Sequence, residues 1–108
     1  MLISVSPPTP GQPFEIKAQS TSITVGWSES YCDGGHPIIS FDIQYDQLTG
    51  FFIAQTIRNI DPTQRNYTVT GLQSSRFYTF RVRAVSANSR TSSYSSSASI
   101  ATLAPGML

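Results

Sequence analysis

The sequence has 108 residues, a net charge of +1, and 39% hydrophobic and 12% charged residues. A chain of this length can bury one two-layer core, so we expect a single domain. It lacks the basic excess of a nucleic-acid-binding surface, and no stretch approaches the roughly eighteen apolar residues of a membrane span. We therefore expect no nucleic-acid partner and no membrane insertion.

The prolines are concentrated near the start of the chain. Residues 6–13 (SPPTPGQP) contain four prolines and one glycine. Proline fixes the backbone φ angle and has no amide donor, so this stretch is expected to be an extended lead-in. We assign residues 1–9 to a linker and residues 105–108, which include Pro105 and Gly106, to a C-terminal tail.

Alternating apolar and polar residues predict seven short strands separated by turn residues, with no helical periodicity. The predicted strands are 14–18, 23–27, 38–45, 51–57, 67–70, 78–86 and 98–102. This pattern is typical of an all-β antiparallel sandwich, with a small closed barrel as the alternative.

The stretch from Tyr67 to Ser86 predicts two strands joined by a tight corner. Gly71 permits the bend, and Leu72 places an apolar side chain inside it. Tyr78 begins the second strand with a ring that can pack in the core and a hydroxyl that can donate to a backbone acceptor upstream. Together with Trp27 on the second strand, Leu72 and Tyr78 are the predicted structural core.

These spaced motifs resemble the fibronectin type III family over nearly the whole chain. The matching segments are the prolines at 7, 8 and 10, SITVGW at 22–27, GGHPI at 34–38, FDIQY at 41–45, YTVTGL at 67–72 and YTFRVRAVS at 78–86. The resemblance implies a seven-stranded antiparallel immunoglobulin-like β-sandwich over residues 10–104. It also implies that Trp27, Leu72 and Tyr78 are the family's strand tryptophan, corner leucine and corner tyrosine.

The chain departs from the family pattern at several positions. Ser74 and Arg76 stand where the family often has proline and threonine, and Phe51 or Phe52 where it often has tryptophan. The Arg-Gly-Asp tripeptide is absent. The Trp-Ser-x-Trp-Ser repeat of cytokine receptors is also absent, and Ser93-Tyr94-Ser95 is at most a partial match to it.

The residues that come nearest to a metal or catalytic site share one loop. Cys32, Asp33 and His36 lie within five residues, and Cys32 is the only cysteine. A structural zinc needs four ligands, and a nucleophilic thiol needs an oriented base. Neither set is complete, so we expect no metal site, no cofactor, no catalytic residue and no enzymatic activity, with Cys32 a free thiol.

Two other groups of residues have an ordinary and a functional interpretation. Arg81 and Arg83 should project from the same sheet face as Asp42 and Asp46, which favours cross-strand ion pairs over a heparin-like site. Asn66 begins the sequon Asn-Tyr-Thr, a candidate N-glycosylation site of a kind that also arises by chance.

By resemblance, the chain is a non-catalytic module of a larger multidomain protein. It would mediate protein–protein interaction or adhesion, or act as a spacer between neighbouring domains. Binding would use a sheet edge or the loop end, which we define as the loops Tyr31–Pro37, Ile60–Asn66 and Asn88–Tyr94. The candidate partner-binding residues are Tyr31, Phe51, Phe52, Ile53 and Arg90. The fourth strand, apolar and without charge or proline, is also a candidate for weak self-association or strand addition. Residues 1–5 lack the basic start of a signal peptide. The resemblance favours an extracellular location or an ectodomain, with a cytoplasmic location as the alternative.

Overall fold

The computed structural model describes residues 7–28, 37–47 and 54–106. Seven strands lie in these ranges: β1 Phe14–Ala18, β2 Ile23–Gly26, β3 Ile38–Asp46, β4 Gln55–Ile60, β5 Asn66–Val69, β6 Phe77–Ser86 and β7 Ala98–Ala101. They form a three-stranded sheet in the order β1-β2-β5 and a four-stranded sheet in the order β4-β3-β6-β7. All pairings are antiparallel, which confirms the predicted all-β sandwich.

A single core fills the space between the two sheets. Its buried members are Ile23, Val25, Trp27, Phe41, Ile43, Ile60, Val69, Leu72, Tyr78, Phe80, Val82, Ala84 and Ile100. Most come from strands whose apolar residues recur every second position, because alternate side chains point to the same face. The rings of Trp27 and Phe41 meet edge to face with centroids 5.5 Å apart, a favourable aromatic geometry.

The corner between β5 and β6 has the predicted components. Gly71 has a φ of 73°, in the left-handed region that glycine adopts without strain. Leu72 is buried beneath the corner. The backbone N–H of Gln73 donates a hydrogen bond of 2.8 Å to the hydroxyl of Tyr78. The backbone group that this tyrosine engages is therefore a donor, whereas the sequence-based interpretation expected an acceptor.

The fourth strand differs from its predicted bounds of 51–57. It runs from Gln55 to Ile60, and residues 51–53 lie outside the described ranges. Its pairing with β3 is irregular between Ile57, opposite Ile43, and Ile60, opposite Phe41. This β-bulge shifts the residues after Ile57 out of the two-residue period. The sequence pattern therefore predicted a strand that ends at Ile57, whereas the strand continues to Ile60.

The proline-rich lead-in packs on the sandwich from Pro7 onward. Pro7 and Pro10, on either side of the predicted linker boundary, are both buried. Gly11 donates its backbone N–H to the carbonyl of Ser28 at 2.8 Å, and the Gln12 side chain donates to the carbonyl of Ser97 at 2.7 Å. These bonds fix the direction in which the chain enters β1.

Candidate functional site

The outer face of the four-stranded sheet carries a group of charged and aromatic side chains. We call it the arginine face and define it by Asp42, Gln44, Arg58, Arg81, Arg83 and Tyr94. Phe41 and Ile43 on β3 and Val82 on β6 point into the core. The residues that alternate with them along these two strands therefore point outward. The register places Asp42 opposite Arg83 and Gln44 opposite Arg81.

Asp42 is the buried anchor of the arginine face. Arg83 Nε donates to Asp42 Oδ2 at 3.0 Å, and Arg58 Nη1 lies 3.7 Å from the same oxygen. The backbone N–H of Asn59 donates to Asp42 Oδ1 at 3.3 Å. Asn59 has a φ of 62° and lies in the β4 bulge, so this carboxylate joins the arginines to the bulged strand. The predicted cross-strand ion pair is confirmed for Arg83 and Asp42.

Tyr94 packs against both arginines of β6. The guanidinium carbon of Arg81 lies 4.5 Å from the centre of the tyrosine ring, and that of Arg83 lies 4.9 Å from it. Arg81 Nε also donates to Gln44 Oε1 at 2.6 Å. Each guanidinium is thus held both by an oxygen acceptor on β3 and by a π face, two interactions that restrict its motion.

Two serines hold Tyr94 in place by bonding the edge of β6. Val82 donates its N–H to Ser95 Oγ at 3.0 Å, and the Ser95 N–H donates to the Val82 carbonyl at 2.7 Å. Ser92 and Ala84 repeat the arrangement, with both bonds at 2.9 Å. The serine hydroxyls therefore act as backbone-like acceptors in the segment that precedes β7.

In the arginine face, the carboxylate lies beneath the guanidinium groups. The carboxylate of Asp42 is almost fully buried, whereas the Arg58 side chain is 61% exposed. A partner would therefore meet guanidinium groups, although the Asp42 carboxylate beneath them lowers the net charge. The exposed Arg58 pair contributes only tenths of a kcal/mol, up to about 1 kcal/mol.

Large apolar side chains are exposed on both sheets. Phe77, at the start of β6, is 57% exposed, and Ile39 on β3 is 51% exposed. On the three-stranded sheet, Phe14 is 53% exposed and Ile16 is 51% exposed. The alternation in β1 thus places two apolar residues toward solvent, because the strand has a register shift between Glu15 and Lys17.

The residues singled out in the sequence are distributed over several regions. Trp27, Leu72 and Tyr78 are buried. Tyr31, Phe51, Phe52, Ile53 and the Cys32–His36 loop lie outside the described residues. Arg90 is exposed in the turn after β6, where its carbonyl accepts the Ser86 N–H at 2.9 Å. Asn66 is exposed at the start of β5.

The sequence interpretation assigned Tyr94 to a loop and missed its position between two arginines. The available signal was the spacing of Ser92 and Ser95 around an aromatic residue, together with arginines at alternate positions of β6. Within the described ranges, no group of three or more His, Cys, Asp or Glu side chains is placed to hold a metal ion. Those ranges also contain no helix long and apolar enough to cross a membrane.

We compared the chain with known protein families and proteins. The family model for the fibronectin type III domain matches residues 6–101. Human "Brother of CDO" is 38% identical over 84 residues, covering 75% of this chain and 7% of that protein. The Xenopus laevis protein "Cell adhesion molecule-related/down-regulated by oncogenes" is 34% identical over 79 residues, covering 73% of this chain and 6% of that protein. The chain therefore spans less than a tenth of these curated relatives.

Solved structures share the same architecture. A fibronectin type III domain of human fibronectin type III domain containing protein 3 is 24% identical, with a TM-score of 0.76, over 97% of this chain and 96% of that one. A human fourth FNIII domain is 22% identical, with a TM-score of 0.79, over 96% and 85%. A myokine structure is 20% identical, with a TM-score of 0.76, over 91% and 99%. At these identities the likeness shows the fold.

Proposed function

Because this chain belongs to the fibronectin type III family, we propose that it is a non-catalytic, adhesion-type interaction domain of a larger protein. Its relatives include a protein named as cell adhesion molecule-related, and that name supports a role at the cell surface. We assign the binding surface to the arginine face, and the partner to a protein that presents carboxylates and aromatic groups.

The observation that carries this proposal is the ordered arrangement of Arg81, Arg83 and Tyr94. Arginine and tyrosine are among the residues that contribute most to binding energy at protein interfaces. Side chains that are already held by neighbours lose less conformational entropy on binding than mobile ones do. Phe77 lies on the same outer face and adds exposed aromatic surface. The net charge of only +1 favours a protein partner over a heparin-like polyanion.

A second candidate function is that of a structural spacer. The observation in its favour is the packed lead-in, in which Gly11 and Gln12 are bonded to Ser28 and Ser97. A lead-in held in this way would set the angle between this domain and a preceding one. The two roles are compatible, because the lead-in does not form part of the arginine face.

The test uses a fluorescent pentamer of the domain on a panel of vertebrate cell lines. We expect surface binding that protease treatment of the cells removes and that heparan-sulfate-degrading enzymes leave intact. Arg81→Glu should weaken it about tenfold or more, as loss of an interface hot spot does. Arg90→Glu tests the loop end, and Arg76→Glu, an exposed arginine outside the arginine face, is the control for the same change in charge.

Circular dichroism should first show that each variant is folded. Equal loss of binding in all three variants would mean that only overall charge matters. Loss confined to Arg90→Glu would assign the interface to the loop end. Absence of surface binding by the wild-type pentamer on every cell line would favour the spacer.

A further inference from the structure

We propose that Asn66 carries an N-linked glycan whose first sugars cover the exposed patch of Phe14 and Ile16. This apolar patch lies on the outer face of the three-stranded sheet, opposite the arginine face. The sequon supplies the attachment point, and the strand register supplies its position beside the patch. The inference rests on the proposed adhesion role only in requiring that the chain enter the secretory pathway.

Three residues form one row across the three-stranded sheet. The register pairs Phe14 on β1 with Gly26 on β2, and Gly26 with Asn66 on β5. Val25 and Tyr67, the next pair along, pack on or against the core, so Gly26 and Asn66 belong to the outer face. The Asn66 side chain is therefore directed to the same face as Phe14.

Gly26, in the middle of this row, has no side chain, and the side chains of Phe14 and Ile16 fill the space above it. An added Cβ at Gly26 would lie 2.8 Å from the ring of Phe14 and 2.8 Å from Cδ1 of Ile16. Both side chains therefore lie over the central strand, toward β5. Adjacent strands are separated by about 4.8 Å, so the phenylalanine ring is within reach of a sugar attached to Asn66.

The size of the patch fits a sugar better than a protein. Phe14 and Ile16 remain about half exposed, and the outer face beyond them is polar, with Thr24 and Thr68 joined by a hydroxyl hydrogen bond of 2.7 Å. A stable protein interface buries about 800 Å² on each partner, far more than two side chains provide. One or two N-acetylglucosamine units, with apolar C–H faces and polar rims, match this combination of a small apolar centre and polar surroundings.

The attachment itself is a group transfer to the Asn66 amide. Nδ2 forms a bond to C1 of the first N-acetylglucosamine of a lipid-pyrophosphate oligosaccharide donor. The bond between C1 and the pyrophosphate oxygen breaks, the lipid pyrophosphate leaves with the electron pair, and the amide nitrogen gives up one proton to a base of the transferase. Thr68 supplies the hydroxyl that the sequon requires.

The experiment compares secreted protein from animal cells with Asn66→Gln. Mass spectrometry should find a glycan on Asn66, which an endoglycosidase trims to one N-acetylglucosamine. The trimmed protein should melt a few degrees higher than Asn66→Gln. This gain should disappear in the Phe14→Ser background and persist in the Phe77→Ser background, because Phe77 is an equally exposed phenylalanine on the other sheet.

An unmodified Asn66 in the secreted protein would overturn the inference. So would a glycan whose stabilising effect is the same with and without Phe14. If Phe14→Ser reduces cell binding by the unglycosylated pentamer, the patch is a protein-docking surface instead. Occupancy and melting are measured without a partner, so failure of the proposed adhesion function would leave these results unchanged.

Discussion

At the scale of single residues, Tyr78 links the core to the corner through one hydrogen bond. Tyr78→Phe keeps the ring and removes the acceptor of the Gln73 N–H. We expect a loss of about 1–3 kcal/mol in the free energy of unfolding, because a part-buried donor is left without its partner. Chemical denaturation measures this loss. Tyr94→Phe, which keeps its ring between the two arginines, is the control and should change the midpoint little; equal midpoints for both variants would contradict the assignment.

Tyr45 gives the stability of the domain an alkaline pH dependence. Burial, and then the neighbouring Tyr78 and Tyr67, raise the pKa of the Tyr45 phenol above its ordinary value of about 10. The unfolded chain then loses this proton at a lower pH than the folded one, so stability falls as the pH rises past about 10. Denaturant titrations from pH 8 to pH 11 should show a shallower decline for Tyr45→Phe. Parallel curves for the two proteins would rule out this contribution.

The sequence could predict which residues of regular strands lie in the core. It could not predict which face of the sheet the side chains of an irregular strand occupy. Trp27 directly follows β2 and Tyr78 lies on β6; both continue a clear two-residue period, and both are buried. Phe14 and Ile16 show a similar period, yet they face solvent. The difference comes from a register shift in β1 and from the bare Gly26 beneath them. Both features depend on the neighbouring strand, which a local pattern does not contain.

At the scale of elements, strand β6 was the easiest to predict and β4 the hardest. β6 lies between β3 and β7, and its side chains alternate strictly between core and surface. β4 lies at the sheet edge, where the bulge at Asn59 interrupts the period, and Asp42 holds that bulge. The arginine pairing on β6 was therefore accessible to sequence reasoning, whereas the contribution of Arg58 from β4 was not.

The segment leading into β7 depends on serine side chains rather than on a regular ladder. Ser95 Oγ accepts the Val82 N–H and donates to the Ser96 carbonyl at 3.0 Å. Ser95→Ala removes the acceptor from a buried amide, so we expect a loss of about 1–3 kcal/mol. The adjacent Ser96→Ala, at an exposed position, should stay within about 0.5 kcal/mol of wild type. Similar small effects of both changes on the denaturation midpoint would mean that the hydroxyl contributes nothing at Ser95.

At the scale of the whole molecule, both sheets share one core and should unfold together. Trp27 lies in that core and is the only tryptophan, so its fluorescence reports on the inter-sheet packing. We expect its unfolding transition to coincide with that of far-ultraviolet circular dichroism, as in a two-state domain. Trp27→Ala should lower the free energy of unfolding by about 3–5 kcal/mol when followed by circular dichroism. Separate transitions from the two probes would show that one sheet loosens before the other.

The assembly state depends on the edge formed by β4. The sequence suggested strand addition there, and the structure places β4 at the edge of its sheet. Among the described residues, β4 has three, Gln55–Ile57, ahead of the bulge, and Arg58 then adds a charge. A short regular edge and a charge both oppose pairing with another strand. We therefore expect weak self-association at most, visible in sedimentation equilibrium only near millimolar concentration. Ile53→Lys should abolish it, whereas Gln64→Lys, which adds the same charge in an exposed turn, should not. A dimer at micromolar concentration that persists in Ile53→Lys would show that two copies pair through a different surface.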